Sequence, residues 1–273
     1  MTAMTVLPVT TAETAGKPPP LLQARGISRS FGGVKAVSDF YLEVDEGELV
    51  ALIGPNGAGK TTVFNLVTGV YRPDTGTLAF RGESLVGLAP HRIVGAGIAR
   101  TFQNIRLFRH LSVLDNVRAA HFGRNRTPAL AALLRLPRCR ADEREVIESS
   151  RFYLAAHGLE GEAGTLAGSL PYGRQRRLEI ARALATRPSL LLLDEPAAGM
   201  NPAEVQEMME LILRLRREFA LTVLLIEHQM RMVMGAAERI VVLEFGETIA
   251  EGTPEEIRAN ERVVAAYLGG DAA

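Results

Sequence analysis

In the first third of the chain, hydrophobic and polar residues alternate with the two-residue period of β-strands. The segment 21–44, LLQARGISRSFGGVKAVSDFYLEV, keeps this pattern on both sides of a Phe-Gly-Gly turn, which predicts a pair of antiparallel strands. The apolar run ELVALIG follows and ends in glycine, as is typical of a buried strand. GTLAFRGESL then has strand character again.

Helical spacing begins with KTTVFNLVTGV, whose expected end is near Gly69. The run AEVQEMMELILRLRREF has one apolar helical face, formed by Val205, Met208, Ile212, Leu215 and Phe219. Three apolar runs, SLLLLDEP, LTVLLIEH and RIVVLEFGETIAEG, predict three more strands. Because strands alternate with helices, we expect an α/β fold built on a mostly parallel sheet.

Changes in local composition and periodicity along the chain also predict how it is divided into segments. Residues 1–20 are rich in Thr, Ala and Pro and predict a flexible leader. From about Pro90 to Arg177 the patterns are helical and rich in arginine. We therefore expect one domain over 21–273, with a catalytic core at 21–90 and 178–250, a helical subdomain at 91–177 and a C-terminal extension at 251–273.

Composition narrows the classes of function. Thirty-one basic residues balance 31 acidic ones, whereas nucleic-acid-binding proteins usually carry a basic excess, so we expect no nucleic-acid partner. The single cysteine, Cys139, has no second thiol to pair with, which is typical of a reducing compartment. No apolar run approaches the roughly 18 residues that span a bilayer, and the leader does not resemble a secretory signal.

The strongest chemical signal is GPNGAGKTT, which lies between a predicted strand and a predicted helix. It matches the phosphate-binding pattern G-x-x-x-x-G-K-[ST]. Its glycines let backbone N–H groups turn toward phosphate oxygens, Lys60 reaches the β- and γ-phosphates, and Thr61 offers a hydroxyl to Mg²⁺. The expected ATP-binding residues of this loop are Gly54, Pro55, Asn56, Gly57, Ala58, Gly59, Lys60, Thr61 and Thr62.

The second signal is LLLLDEP, an apolar strand that ends in two carboxylates. Ligands of α/β sheets bind at the carboxyl ends of the strands. There, Asp194 is placed to hold Mg²⁺, and Glu195 to accept a proton from, or orient, a water that attacks the γ-phosphate. A capped strand end would look similar in isolation, but the upstream phosphate loop favours nucleotide chemistry.

Together these motifs resemble the ATP-binding subunit of an ABC transporter, and the resemblance covers nearly everything after the leader. It implies the ABC ATPase fold, a P-loop NTPase core with an N-terminal antiparallel β subdomain and an inserted helical subdomain. It further implies that Phe31 stacks on adenine and that Gln103, in RTFQN, contacts Mg²⁺ and water and senses the membrane subunit. His228 resembles the histidine that touches the γ-phosphate. Catalysis is thereby assigned to Lys60, Gln103, Glu195 and His228.

The stretch SLPYGRQRRLEIARAL stands where the family places its LSGGQ-type motif, which acts on the ATP of the other subunit in a head-to-tail dimer. The motif residues are here Leu170, Pro171, Tyr172, Gly173 and Arg174. Pro171 departs from the family's serine and provides neither hydroxyl nor N–H, although proline also favours helix initiation. Asn201 stands where aspartate is more usual, which bears on communication between the two sites. Arg176, Arg177 and Arg182 are expected on a solvated helix face, with contact to the membrane partner as the alternative.

Longer strings, among them GIARTFQNIRLFRHLSVLDNV and the ending YLGG, resemble the larger ATPase subunit of bacterial branched-chain amino-acid importers. The resemblance implies ATP-driven import of leucine, isoleucine, valine or a related amino acid or amide. It also implies a second ATPase subunit in a homo- or heterodimer, two permease subunits, an indirectly coupled periplasmic binding protein, and a peripheral location at the cytoplasmic face of the inner membrane. The ATPase of lipopolysaccharide export is the nearest alternative; a soluble non-transport ABC ATPase and a non-hydrolysing regulatory module are others.

Overall fold

The structure is a computed structural model and describes residues 18–121 and 137–268. The expected leader lies almost wholly outside these residues, as do the last five residues of the expected C-terminal extension. No helix in the described part of the chain is both long enough and apolar enough to cross a bilayer.

The first layer is a four-stranded antiparallel sheet in the order β2-β1-β4-β5. Its strands are β1 (Leu22–Phe31), β2 (Val34–Val44), β4 (Thr75–Phe80) and β5 (Glu83–Ser84). The tight turn at Gly32 and Gly33 pairs Phe31 with Val34, so the hairpin predicted from the alternating pattern is confirmed.

The second layer is a six-stranded sheet in the order β10-β9-β3-β8-β7-β6, parallel except for the antiparallel edge strand β10. Its strands are β3 (Leu49–Ile53), β6 (Ile98–Arg100), β7 (Leu190–Asp194), β8 (Thr222–Ile226), β9 (Arg239–Glu244) and β10 (Glu247–Gly252). The predicted α/β class with a mostly parallel sheet is confirmed.

Two details differ from the sequence prediction. The run RIVVLEFGETIAEG forms a hairpin of two strands rather than one strand, because Phe245 and Gly246 both take positive φ and reverse the chain. The short strand β6 lies within the span expected to be helical, since its pairing with β7 supplies hydrogen bonds that three residues cannot signal by periodicity.

The helices of the described residues cover the parallel sheet and form the lobe next to it. They are α1 (Lys60–Val67), α2 (Pro90–Ala96), α3 (Val113–His121), α4 (Pro137–Ala156), α5 (Tyr172–Leu184), α6 (Pro202–Glu218), α7 (Met230–Ala236), α8 (Pro254–Ala259) and α9 (Glu261–Leu268). In α6 the predicted apolar face is confirmed: Val205, Met208, Ile212 and Leu215 are buried, and Phe219 packs against them from the end of the helix.

The parallel sheet is buried on both faces. Successive residues of β3 alternate between two hydrophobic clusters: Leu49, Ala51 and Ile53 face one, while Val50 and Leu52 face the other. Strands covered on both sides read as continuous apolar runs, which is why ELVALI and LLLL carry no alternation. The rigid sheet fixes the positions of the loops at its carboxyl edge.

His157, just after α4, is fully buried in the helical lobe. Its Nδ1 donates to the Tyr153 carbonyl at 2.7 Å, while Nε2 finds no hydrogen-bond partner among the residues that the structure describes. Burial lowers the pKa of His157 from 6.5 to about 4, and the charges of Arg214 and Arg177 add to this effect against the Tyr153 hydrogen bond. The imidazole is therefore neutral in the fold at neutral pH.

This histidine is expected to make the protein sensitive to acid. Between pH 6.5 and about 4 the unfolded chain binds a proton that the folded chain does not, so stability falls as the pH falls through this window. The loss reaches about 3 kcal/mol by its lower end. His157→Asn, which keeps a donor for the Tyr153 carbonyl, should flatten this dependence in thermal unfolding, with His91→Asn, on the surface, as control. An unchanged pH profile in His157→Asn would contradict the assignment.

Candidate active site

The candidate site lies where four neighbouring parallel strands end. The glycine-rich loop follows β3, His228 follows β8, Asp194 ends β7, and Gln103 follows β6. Because β3, β8, β7 and β6 are adjacent in the sheet and run in the same direction, their carboxyl ends meet at one edge, which is where α/β sheets bind ligands. The fold thus collects at one edge residues that lie far apart in sequence.

The glycine-rich loop is packed too closely for side chains at two of its glycines. Gly54 has φ 150°, and a Cβ there would lie 2.0 Å from the Leu243 carbonyl oxygen. Gly59 has φ 102°, and a Cβ there would lie 2.3 Å from the Ala36 carbonyl oxygen. Glycine is the residue that tolerates both this backbone region and this approach, so neighbouring strands fix the curl of the loop.

The loop ends in helix α1, whose N-cap Gly59 offers no side-chain hydrogen bond to the first turn. Uncapped N–H groups and the positive end of the helix dipole favour an anion at this position. Lys60 is buried, and its Nζ donates to the carbonyls of Gly54 at 2.6 Å and Pro55 at 2.9 Å. Burial lowers the pKa of Lys60, while the carboxylates of Glu195 and Asp194 oppose that shift.

Two residues singled out in the sequence, Gln103 and His228, converge on the carboxylate of Glu195. Gln103 Nε2 donates to Glu195 Oε2 at 2.8 Å, and Nε2 of His228 lies 2.6 Å from Glu195 Oε1 as its second donor. Glu195 itself has φ 49°, and its N–H donates to the Ile226 carbonyl on the neighbouring strand. The carboxylate is therefore held from both sides, and its strained backbone is fixed by the sheet.

Asp194 is buried and paired with an arginine that the sequence did not single out. Arg100 Nη2 donates to Asp194 Oδ2 at 2.7 Å, and Arg100 Nη1 donates to Asn65 Oδ1 at 2.7 Å. Both side chains of the ion pair are nearly inaccessible. Its only sequence signal is position, since Arg100 is the first residue of RTFQN and lies three residues before Gln103.

The residues suggested for Mg²⁺ are oxygen donors, which this hard cation prefers. Arg100 engages Oδ2 of Asp194, which leaves Oδ1 for other contacts. Thr61 lies in the first turn of α1, next to the buried Lys60. Magnesium usually keeps waters and substrate phosphates as most of its ligands, so the few oxygens of Thr61, Asp194 and Gln103 fit it.

Glu227 is a further buried carboxylate, which no sequence motif had singled out. It is 1% exposed and accepts three backbone hydrogen bonds, from Ala197 at 2.7 Å, His228 at 2.8 Å and Gln229 at 3.1 Å. One side chain thus joins the loop after Glu195 to the loop that carries His228. An acidic residue at the end of an apolar strand, directly before a histidine, was the available signal.

We expect Glu227→Gln to lower kcat about tenfold with little change in ATP affinity. An amide cannot accept at both of its terminal atoms, so one backbone donor becomes unpaired, at a cost of about 1–3 kcal/mol, and His228 shifts relative to Glu195. Steady-state ATPase assays and nucleotide titrations measure the two quantities. Glu244→Gln, at the end of β9, is the matched control; equal effects in both variants would refute a specific role for Glu227.

Phe31, at the end of β1, presents an exposed ring. Its ring lies edge-on to Tyr71 with centroids 4.9 Å apart, and the Arg29 guanidinium is 4.9 Å from its centroid. Arg29 is held in turn by Asp74 at 2.6 Å. The ring is thus supported on one side and 39% of the residue is open to solvent, as an aromatic platform for a planar base requires.

The LPYGR turn leads into α5, with Pro171 at the N-cap and no side-chain cap for the first helical turn. The N–H groups of that turn therefore remain available to a ligand. Arg174 forms an ion pair with Glu162, so its charge is already engaged. Asn201 is the N-cap of α6: its Oδ1 accepts from the N–H groups of Ala203 and Glu204 at 3.0 Å, a capping role not predicted from the sequence.

The expectation of a solvated face for the arginines of α5 is wrong for Arg176. This side chain is fully buried and contacts the backbone of the Gln103 loop. Arg177 is half-buried and pairs with Glu207 at 2.8 Å, and Arg182 is half-buried beside the Phe108 ring. The error arises because helical periodicity reports which residues share a face but not whether another element covers it.

Comparisons with known proteins agree with this architecture. The family model described as ABC transporter matches residues 37–198. A second model, described as branched-chain amino acid ATP-binding cassette transporter, matches residues 247–273. These matches cover the phosphate loop, the two carboxylates and the C-terminal helices.

Among curated relatives, the high-affinity branched-chain amino acid transport ATP-binding protein BraF of Pseudomonas aeruginosa is 48% identical over 250 residues, 92% of this chain and 98% of the relative. LivG of Escherichia coli, of the same description, is 47% identical with the same coverage. The lipopolysaccharide export system ATP-binding protein LptB of Haemophilus influenzae is 37% identical over 91% of this chain and 97% of its own.

Among solved structures, the ADP conformation of an ATP-binding cassette of an ABC transporter superposes with a TM-score of 0.80 at 29% identity, covering 92% of this chain and 99% of that one. A nucleotide-free ATP-binding cassette gives 0.79 at 28% identity, covering 91% and 98%. Sequence, fold and the geometry at the sheet edge thus agree: the chain belongs to the ABC transporter family, as one of its ATP-hydrolysing cassettes.

Proposed function

We propose that this chain hydrolyses ATP to drive the import of branched-chain amino acids, or of a related amino acid or amide, across a bacterial inner membrane. The observation that carries the catalytic part is the Glu195 carboxylate held by Gln103 and His228 beside the phosphate loop. The similarity of residues 247–273 to the branched-chain transporter model and the 48% identity to BraF support the class of solute.

In the proposed binding mode, ATP lies along the carboxyl edge of the sheet. Residues 54–62 surround its phosphates, with Lys60 leaving the loop carbonyls to reach the β- and γ-phosphates. Phe31 stacks on the adenine. Thr61, Asp194 and Gln103 would hold Mg²⁺, which neutralises negative charge on the transferring phosphoryl group.

Glu195 orients the attacking water and accepts its proton as the water oxygen bonds to the γ-phosphorus. The bond from this phosphorus to the β–γ bridging oxygen breaks, and ADP leaves with the bonding electron pair. His228 holds this carboxylate through Nε2 and contacts the γ-phosphate, while Gln103 holds the other carboxylate oxygen. Arg100 keeps Asp194 in place through a buried ion pair. Because Asp194 and Glu195 are held by the sheet and by these partners, little rearrangement of the two carboxylates is needed when substrate binds.

A second ATPase subunit is required for a complete site in this proposal. Two cassettes pair head to tail, as a homo- or heterodimer, and the 170–174 turn of each faces the ATP of the other. The uncapped first turn of α5 supports such a contact. Since Pro171 lacks the usual hydroxyl, any catalytic deficit falls on the partner's ATP. Asn201 is the proposed contact between the two sites.

Two permease subunits receive the motion, and the Gln103 loop is the proposed docking place for them. Exposed apolar side chains, Phe108 and Leu111, follow this loop and suit a helix of a membrane partner. The proposed location is the cytoplasmic face of the inner membrane, with a periplasmic solute-binding protein coupled indirectly.

The division of the chain into a core, a helical subdomain at 91–177 and a C-terminal extension remains part of this proposal, with β6 as a strand of the core sheet.

The test is reconstitution of the chain with its permeases and partner ATPase in proteoliposomes. ATP-dependent uptake of radiolabelled leucine that requires a solute-binding protein is the expected result. ATP-dependent extraction of lipopolysaccharide without amino-acid uptake would overturn the importer proposal. It would favour the lipopolysaccharide export ATPase, whose member LptB is 37% identical to this chain. ATP hydrolysis by a chain that associates with no permease and supports no transport would favour a non-transport ATPase.

A further inference from the structure

Arg176 in the second turn of α5 is the largest fully buried side chain of the described residues. Its Nη1 donates to the Phe102 carbonyl at 2.6 Å and its Nη2 donates to the Gln103 carbonyl at 2.7 Å. The planar fork of a guanidinium matches two adjacent acceptors, which a lysine ammonium cannot do. Arg176 therefore binds the backbone of the loop that carries Gln103 through two hydrogen bonds.

Glu179, one turn further along α5, binds the same loop by accepting hydrogen bonds from its backbone N–H groups. Its Oε1 accepts from the Arg106 N–H at 3.2 Å and the Phe102 N–H at 3.4 Å, while its Oε2 accepts from Arg176 Nη1 at 2.9 Å. Both charged side chains are buried. A buried pair of this kind is strongly destabilised when one partner is removed, so the two residues act as one unit.

The same guanidinium also contacts the LPYGR turn. Arg176 Nη2 donates to the Tyr172 hydroxyl at 3.1 Å, and the guanidinium lies 5.7 Å from the centroid of the Tyr172 ring. Tyr172 is the third residue of that turn. One buried side chain thus contacts both the carbonyl of Gln103 and the turn whose proposed place is against the partner's ATP.

The other end of the loop is fixed to the core of the site. Thr101 donates its N–H to the Leu192 carbonyl at 3.0 Å, and the preceding Arg100 pairs with Asp194. Gln103 therefore lies between an anchor on the parallel sheet and an anchor on α5. Because the loop is tied at both places, we expect a displacement at this point to be passed on to α5 rather than absorbed by the loop.

We propose that Arg176 and Glu179 are positioning residues that lock the Gln103 loop to α5, so that permease movement at this loop reaches the 170–174 turn. The role assigned to this pair rests on the proposed function, since it needs a permease and a partner ATPase. To the proposed function, this role adds a physical connection between the permease docking place at the Gln103 loop and the 170–174 turn. Neither residue touches substrate; both act through the loop and through Tyr172.

The test compares Arg176→Lys with Arg177→Lys in the assembled transporter. Arg177 is the next residue of α5 and pairs with Glu207 on α6, so its replacement controls for loss of a guanidinium on the same helix. ATPase activity is measured for the ATPase dimer alone and for the complete complex with solute and binding protein. Nucleotide affinity and thermal stability are measured alongside.

In Arg176→Lys we expect the stimulation of ATPase activity by the complex to fall about tenfold or more, a typical coupling magnitude. ATP affinity should remain near that of the wild type, and the activity of the dimer alone should fall by much less than the stimulation. Arg177→Lys should keep full stimulation. Equal loss of basal and stimulated activity, or unchanged stimulation, would overturn the proposal, because a merely structural role lowers both rates together.

A second variant keeps the test decisive if Arg176→Lys fails to fold. Glu179→Gln preserves shape and one acceptor but removes the negative charge opposite Arg176, and the ratio of stimulated to basal activity decides in the same way. The proposed function has a separate readout, which is stimulation in the wild type. A wild-type complex that shows none overturns both, whereas a stimulated wild type with fully stimulated variants overturns only the role of Arg176 and Glu179.

Discussion

Glu195→Gln is expected to lower the steady-state ATPase rate about 1,000-fold while leaving ATP affinity almost unchanged, since loss of a general base typically costs 10²–10⁴ in rate. The amide keeps the size of the side chain and one acceptor, so that a hydrogen bond to Gln103 or His228 persists. It no longer accepts a proton from water. ATP should therefore bind and close the dimer without being cleaved.

The measurement combines phosphate-release kinetics with size-exclusion chromatography in Mg·ATP, where a closed dimer accumulates. Glu210→Gln is the matched control, because Glu210 is a surface carboxylate on α6 whose partner is Gln206. It should behave as the wild type in both assays. Near-normal turnover in Glu195→Gln would exclude Glu195 as the base and direct attention to the buried Glu227.

Gly59→Ala is expected to weaken ATP binding by about 100-fold or more, because two penalties coincide at this position. The residue has φ 102°, and the new Cβ would lie 2.3 Å from the Ala36 carbonyl oxygen. Either β2 or the loop must move, and because β2 is paired with β1 along its length, we expect the loop to shift. Its N–H groups then turn away from the phosphates, and Lys60 moves with them.

Gly47→Ala separates the two penalties. Gly47 has φ 81°, a Cβ there meets no atom within 4 Å, and the residue precedes β3, at the edge of the sheet opposite the site. It should lose only the left-handed backbone preference, about 1–2 kcal/mol of stability, with normal ATP affinity. Isothermal titration and thermal unfolding give both quantities. Normal nucleotide affinity in Gly59→Ala would show that the loop is not held as its packing implies.

The features that were predictable from sequence are those whose signal is local. The phosphate loop is recognisable within nine residues, because the glycines that curl the backbone, the lysine and the start of the helix must be adjacent in the chain. The strand ending in Asp194 and Glu195 is likewise continuous. The resemblance to a known family then supplied Gln103 and His228, and the structure brings both into hydrogen-bonding contact with Glu195.

The features that were missed depend on contacts between distant segments. Arg176 looked like a surface arginine, because nothing in α5 reveals that the Gln103 loop covers it. Glu227 and Arg100 are joined by hydrogen bonds to Ala197 and Asp194, about 30 and 94 residues away in the chain. Side-chain chemistry at a single position does not specify such partners, and strand β6 was too short to show its own period.

The sequence by itself therefore determined the α/β class and two local motifs, the glycine-rich loop and the strand that ends in Asp194 and Glu195, since each follows from local periodicity or from a contiguous stretch. Only the tertiary structure decided which buried charges hold those residues in place. Parallel strands bring four separate loops to one edge, and the burial of Arg100, Arg176, Glu179 and Glu227 requires partners that folding alone supplies. The motif residues are recognisable in the sequence, whereas the buried side chains that hold them are recognisable only in the folded structure.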